Sequence, residues 1–149
     1  LNLTIDQIGY GNKLCGTITG GDCASDWILT GSSVTMDIDM IGNLNQIFGP
    51  TLFDSTDVDL SLTGNSNIWD WNVGYGGSAD SSVVDVAITG SSNTFDIDWG
   101  YAASSERLNF DLDITGSSNV WDINIDADDV TWDVDVIGSS NNFVINRSL

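Results

Sequence analysis

A Gly-x-x-Asn tetrad returns six times along this chain: Gly9-Tyr-Gly-Asn12, Gly42-Asn-Leu-Asn45, Gly64-Asn-Ser-Asn67, Gly90-Ser-Ser-Asn93, Gly116-Ser-Ser-Asn119 and Gly138-Ser-Ser-Asn141. Successive tetrad glycines lie 33, 22, 26, 26 and 22 residues apart. A period of this length marks a stacked-repeat architecture, because a unit of about 22 residues cannot bury an apolar face alone. The longer first step coincides with Cys15, Cys23 and Thr30-Gly-Ser-Ser33, which predicts a loop excursion over about 13–33 within a single repeat domain, 1–149.

Residues beside each tetrad alternate with period two, the pattern of a half-buried strand. Three columns precede the glycines: Leu3, Met36, Val58, Val84, Phe110, Trp132; Ile5, Ile38, Leu60, Val86, Leu112, Val134; and Gln7, Met40, Leu62, Ile88, Ile114, Val136. Two follow: Leu14, Ile47, Trp69, Phe95, Trp121, Phe143, then Trp71, Ile97, Ile123, Ile145. Each repeat thus reads strand, arc, strand, return loop. The matching columns predict an all-β fold, a parallel β-solenoid of six strand–arc–strand rungs of about 22–26 residues, with two facing sheets about 10 Å apart. An antiparallel meander or sandwich is the alternative, since strand–turn–strand patterns also build hairpins. A four-residue arc, where a two-residue Asn-Gly turn would suit a hairpin, favours the solenoid.

The tetrad asparagines Asn12, Asn45, Asn67, Asn93, Asn119 and Asn141 share the parity of the apolar columns and point inward. Buried singly they would be costly. Stacked on one another they can form an amide ladder that also fixes register, or each can supply a left-handed turn conformation. The arc glycines Gly9, Gly42, Gly64, Gly90, Gly116 and Gly138 are expected to relieve a tight bend.

Composition restricts function. With 3 basic against 22 acidic residues the formal charge is −19. Three cations cannot neutralise a row of phosphates, which excludes ordinary nucleic-acid binding, and attraction to anionic membranes fails likewise. No apolar run is long enough for a membrane-spanning helix. The chain has no histidine, which removes His-based nucleophilic catalysis and the commonest metal ligand. Cys15 and Cys23 read as a small disulfide-closed loop in an oxidising, extracytoplasmic setting, with two free thiols as the alternative. The chain starts at Leu1 rather than Met, as a processed or partial product does.

The spacing and the segment Gln7-Ile8-Gly9-Tyr10-Gly11-Asn12 resemble the curlin repeat of curli, with its Gln-x-Gly-x-x-Asn core; later units keep Gly-x-x-Asn, as in Ile88-Thr89-Gly90-Ser91-Ser92-Asn93. The resemblance implies a secreted, cell-surface protein that polymerises into adhesive biofilm fibres through stacked β-solenoid subunits. The residues themselves carry a parallel expectation: strand residues at both ends (Leu3, Ile5, Gln7; Trp132, Val134, Val136, Phe143, Ile145) would leave two uncovered edges, and such edges template head-to-tail homopolymers. The competing class is a capped solenoid binding module, an adhesin or virion appendage that recognises glycans or a surface.

Outward positions carry aspartate rows. Asp96/Asp98, Asp111/Asp113 and Asp133/Asp135 are weak Ca²⁺ candidates, and the rows as a whole can attract cations diffusely, although neither the glycine-rich Ca²⁺ nonapeptide nor an EF-hand loop is present. The same rows keep a sticky sheet soluble. Catalytic carboxylates converge in one cleft, whereas these repeat equally from rung to rung, so no catalytic residue and no resident cofactor is expected. Tyr75 and Tyr101 in the return loops are candidate contacts for a partner.

Overall fold

Alternation of side chains across each strand sends one set of residues inward and the next outward, and the computed structural model places them accordingly. It describes residues 1–15, 17–25, 29–74, 79–100 and 105–148. These form strands and no helix: β1 (Asn2–Ile8), β2 (Lys13–Leu14), β3 (Thr17–Thr19), β4 (Asp22–Ser25), β5 (Leu29–Ser32), β6 (Thr35–Ile41), β7 (Gln46–Asp54), β8 (Asp57–Thr63), β9 (Ile68–Val73), β10 (Ser82–Thr89), β11 (Thr94–Trp99), β12 (Ser105–Thr115), β13 (Val120–Ile137) and β14 (Asn142–Ser148).

The architecture is a parallel β-solenoid. One sheet stacks β1, β6, β8, β10, β12 and the C-terminal part of β13; the other stacks β2, β7, β9, β11, the N-terminal part of β13 and β14. Every pairing in these sheets is parallel and in register, so Leu3 lies on Met36, Met36 on Val58, Val84 on Phe110 and Phe110 on Trp132. Among the described residues, antiparallel pairing is confined to the small β3–β4 hairpin. Four turns close on both arcs, beginning at Val34, Thr56, Ser82 and Leu108, and a terminal rung flanks them on each side. The expectation of six like rungs therefore becomes four complete turns between two partial ones.

Residues of positive φ make the bends at both arcs of each turn. In the tetrad arc the third residue has positive φ: Leu44 at 59°, Ser66 at 58°, Ser92 at 59°, Ser118 at 60° and Ser140 at 58°. In the return arc one non-glycine residue does the same, at Ser33 (54°), Ser55 (53°), Ser81 (56°), Arg107 (58°) and Asp129 (51°), with Gly74 (84°) and Gly100 (80°) also positive in the two longer turns. β12 and β13 run through that bend, their pairing skipping only Arg107 and Asp129 between Glu106–Asp128 and Leu108–Val130.

The core fills the space between the sheets. Met36, Leu60, Val86, Leu112, Trp69, Phe95 and Trp121 are all within 2% of full burial. Burial of side chains this size stabilises by about 1.5–3 kcal/mol each. Aromatic rings continue from rung to rung: Trp69 meets Phe95 edge-on at 6.1 Å, and Phe95 stacks on Trp121 at 3.8 Å. Residues nine after the glycine, Val73, Trp99 and Ile125, extend the core by one column beyond those read from sequence.

The excursion near the first rung is narrower than 13–33. Lys13–Leu14 already pairs with Gln46–Ile47, and Leu29–Ser32 rejoins the stack against Thr51–Asp54. Between them β3 and β4 form the hairpin, closed by a Cys15–Cys23 disulfide with Cα atoms 5.8 Å apart. The free-thiol alternative is set aside, since the described residues contain no free cysteine. The Cys23 N–H donates to Gln46 Oε1 at 3.5 Å, which ties the hairpin to the second rung.

Candidate assembly interface

The arc is built by two ladders of hydrogen bonds that run in opposite directions. In the inner one, the backbone N–H of each tetrad asparagine donates to the side-chain Oδ1 of the asparagine one rung ahead. Asn12 donates to Asn45 at 3.1 Å, Asn45 to Asn67 at 2.9 Å, Asn67 to Asn93 at 2.9 Å, Asn93 to Asn119 at 3.0 Å and Asn119 to Asn141 at 3.0 Å. The side-chain-to-side-chain amide stack expected from sequence is therefore replaced by a backbone-to-side-chain ladder. The reason is geometric: with β-sheet pairing resuming one residue later, the asparagine N–H has no backbone acceptor, and Oδ1 supplies one. Three of the amide nitrogens turn instead to arc carbonyls, from Asn45 to Gly42 O at 3.1 Å, from Asn119 to Gly90 O at 3.2 Å and from Asn141 to Gly116 O at 3.0 Å, while those of Asn12, Asn67 and Asn93 are buried without an acceptor.

In the outer ladder, the second tetrad residue accepts from the rung ahead. Asn43 Oδ1 takes the Asn65 N–H and Asn65 Oδ1 the Ser91 N–H, both at 2.7 Å; Ser91 and Ser117 hydroxyls serve Ser117 and Ser139 at 3.2 Å. The inner ladder runs from Asn12 to Asn141: among the described residues no rung precedes Asn12 and none follows Asn141.

The glycines are required by proximity as well as by conformation. A Cβ at Gly42, Gly64, Gly90, Gly116 or Gly138 would lie 1.4–1.8 Å from the carbonyl oxygen of the preceding tetrad glycine. At Gly9 the nearest atoms would be those of the Asn12 amide at 3.6 and 3.7 Å, so the space that other rungs fill is open there.

At the two outer rungs the core columns are only partly covered. Leu3, Ile5, Leu14, Trp132, Val134 and Phe143 are half-buried, as is Gln7, whereas Val136 and Ile145 are 39% and 43% exposed. Their equivalents in complete turns are buried to within 2%. All eight residues read from sequence as ends lie on the first and last described rungs. Gln7, the one polar member of its column, keeps Oε1 buried without a hydrogen-bond partner.

The aspartates line the outside. Asp37, Asp59, Asp85, Asp111 and Asp133 form one unbroken column across consecutive strands. Burial, and then the charges of neighbours such as Asp37 and Asp39 for Asp59, or Asp113 and Asp133 for Asp111, raise the carboxyls of Asp59, Asp85 and Asp111 above their ordinary range. Asp96, on the opposite sheet, is raised by burial and by Asp98 and Asp122. Of the Ca²⁺ candidates, Asp111, Asp113, Asp133 and Asp135 share one patch while Asp96 and Asp98 lie on the other sheet. Among the described residues no group of three or more acidic or thiol side chains is arranged to hold a metal ion. Tyr75 and Tyr101 lie outside the described residues.

Residues that sequence reading missed are the return-arc positions and the small inward groups beside them. Ala79, Thr56, Ser82 and Ser105 are buried, and the Ala79 N–H donates to Ser105 Oγ at 2.9 Å. A Ser holds the left-handed position at Ser33, Ser55 and Ser81 but gives way to Arg107 and Asp129, so the sequence carries no consistent signal for this arc. No protein-family model matches the chain, and neither a curated protein nor a solved structure does.

Proposed function

We propose that this chain is a secreted structural subunit that assembles head to tail into an extracellular amyloid-like fibre, serving adhesion or a surface matrix. The observation that carries this reading is the equivalence of the first and last described rungs. The last rung presents Trp132, Val134 and Phe143, the first presents Leu3, Ile5 and Leu14, and these occupy the same columns that meet at every internal step. A face that repeats its own underside makes a heterologous contact, which propagates into a filament. Parallel edges with unpaired backbone groups add hydrogen bonds to that contact. The Cys15–Cys23 disulfide suits an oxidising compartment. No catalytic step, cofactor or nucleic acid enters the reading; the aspartate columns attract cations diffusely and resist sideways association.

Negative-stain microscopy and sedimentation velocity of the purified chain test it. Long unbranched threads are expected. Discrete particles at all concentrations contradict the fibre and favour a closed solenoid module that binds a glycan or a surface.

A further inference from the structure

The tetrad arc forms a flank of the solenoid that is almost free of charge. Four outward columns run along it, through Ile8, Tyr10, Gly11 and Lys13 in the first rung and through Thr89, Ser91, Ser92 and Thr94 in the fourth. Lys13 is the only charged residue in all four. The other flanks are acidic. Asp37, Asp59, Asp85, Asp111 and Asp133 line one sheet, Asp70, Asp96 and Asp122 the other, and Glu106, Asp128 and Asp129 stand at the return arc.

The uncharged flank also carries exposed apolar side chains. Ile41, Leu44, Ile68 and Val120 are between 37% and 49% exposed. Each has a described rung on both sides, so stacking along the axis does not cover it. Tyr10 stands out from the same flank, and Ile8 lies beside Ile41.

Resting on the fibre reading above, we infer that this ridge is where two threads of the chain lie side by side, tetrad arc against tetrad arc. Charge selects the flank. A copy of charge −19 that approached by either sheet would set aspartate column against aspartate column, whereas contact between ridges keeps those columns on the outer sides. The repulsion that remains acts over distances that about 0.1 M salt screens.

Size selects the occupant. The ridge is about 10 Å wide, the spacing of the two sheets, and about 29 Å long at about 4.8 Å per rung. Roughly 300 Å² per copy is far below the about 800 Å² that each partner of a stable pair buries. Isolated chains therefore do not pair by it, and a globular partner gains little from it. A partner with the same axial repeat meets it at every rung, and a second thread is that partner; contacts too weak singly then add along the length. The outer ladder already holds Asn43, Asn65, Ser91 and Ser117 in hydrogen bonds of 2.7–3.2 Å, so the ridge meets its partner preorganised.

The test scores thread width by negative-stain microscopy, the bundled fraction by low-speed sedimentation and all threads by high-speed sedimentation, in about 0.15 M salt. Five full chains are compared: the parent, Ile41→Thr, Ile41→Asp, Ser92→Asp and Asn109→Asp. Threonine already stands in the Ile41 column at Thr63, Thr89 and Thr115, and the left-handed φ of Ser92 (59°) is one that Asp129 (51°) adopts. Asn109→Asp adds the same charge at an exposed position of the sheet face.

The parent and Asn109→Asp are expected to bundle. Ile41→Asp and Ser92→Asp are expected to form single threads, with the concentration at which bundles appear raised at least about tenfold because the loss recurs at every copy. Ile41→Thr is expected to raise it at least about threefold through the apolar contact alone. Ridge variants that bundle at the parent's concentration overturn the inference and leave the fibre standing, as does equal dispersal of Asn109→Asp, which would make total charge the cause. Should an aspartate variant form no thread, Ile41→Thr decides, and its bundling as the parent does overturns the ridge. Parent threads that stay single at every concentration and salt overturn it too, even where they coat a polysaccharide surface. A parent chain that forms no thread fails the underlying reading itself.

Discussion

A Cβ built on Gly90 lies 1.7 Å from the carbonyl oxygen of Gly64, one rung earlier, and the Gly90 φ of +146° independently disfavours any L side chain. Backbone at that distance cannot move aside without parting the rungs. Gly90→Ala is expected to cost well over about 3 kcal/mol, at the severe end of single substitutions. Urea unfolding followed by tryptophan fluorescence measures it, with Gly11→Ser as a near-neutral comparison. Equal midpoints for the two would mean that the arcs do not touch.

The inner ladder gives a second prediction. Asn93 Oδ1 is the acceptor for the buried Asn67 N–H at 2.9 Å. Asn93→Ala strands that donor and is expected to cost about 1–3 kcal/mol. The exposed Asn65, whose Oδ1 serves Ser91, is expected to lose less on the same change, because water replaces the acceptor. Comparable losses at both positions would contradict the burial of the inner ladder.

Stability is expected to rise on mild acidification. The carboxyls of Asp59, Asp85 and Asp111 are raised, so the folded chain takes up protons at higher pH than the unfolded one. Their penalty is full at neutral pH and is relieved as pH falls through the raised values toward the ordinary 3.8. Asp85 feels burial first, then Asp111, Asp59, Asp113 and Asp57. Asp85→Asn should therefore unfold at higher denaturant than the parent at pH 7 and gain less between pH 7 and pH 4. A parent that loses stability over that interval would refute the charge account. Added salt is expected to favour fibre growth for the same reason.

The tryptophans make the fourth prediction. Trp121 is fully buried between Phe95 and Phe143, and its Nε1–H has no acceptor. Trp121→Phe loses volume but removes the stranded donor, and phenylalanine already stands at this column in the adjoining rungs. A change within about 1.5 kcal/mol is expected, against about 3–5 kcal/mol for Trp121→Ala. Thermal unfolding separates the two; a Phe variant as damaged as the Ala variant would deny the aromatic stack.

Much of the solenoid was legible because burial imposes period two on strands and stacking imposes one chemistry on each column. The rows Met36–Val58–Val84 and Asp37–Asp59–Asp85 declare both rules at once. The return arc was not legible. The left-handed position it shares from rung to rung faces solvent, so Ser81, Arg107 and Asp129 serve alike and leave no shared chemistry. The column of Val73, Trp99 and Ile125 stands nine residues after each tetrad glycine, where the alternation runs into the return loop. The tetrad asparagines declare which residues build the ladder but not which bonds they make, since backbone donors at the arc carry no sequence signature. The rejoining of β5 with β7 was masked by the disulfide hairpin, which made one continuous loop of two pairing segments and an excursion.

Electron cryo-microscopy of assembled threads tests most directly whether like residues continue to stack across copies. Layer spacing of about 4.8 Å and six rungs per copy predict an axial rise of about 29 Å per subunit, with every strand parallel to the one below. Threads in which each chain advances the axis by a single layer, or in which neighbouring strands run in opposite directions, would contradict it.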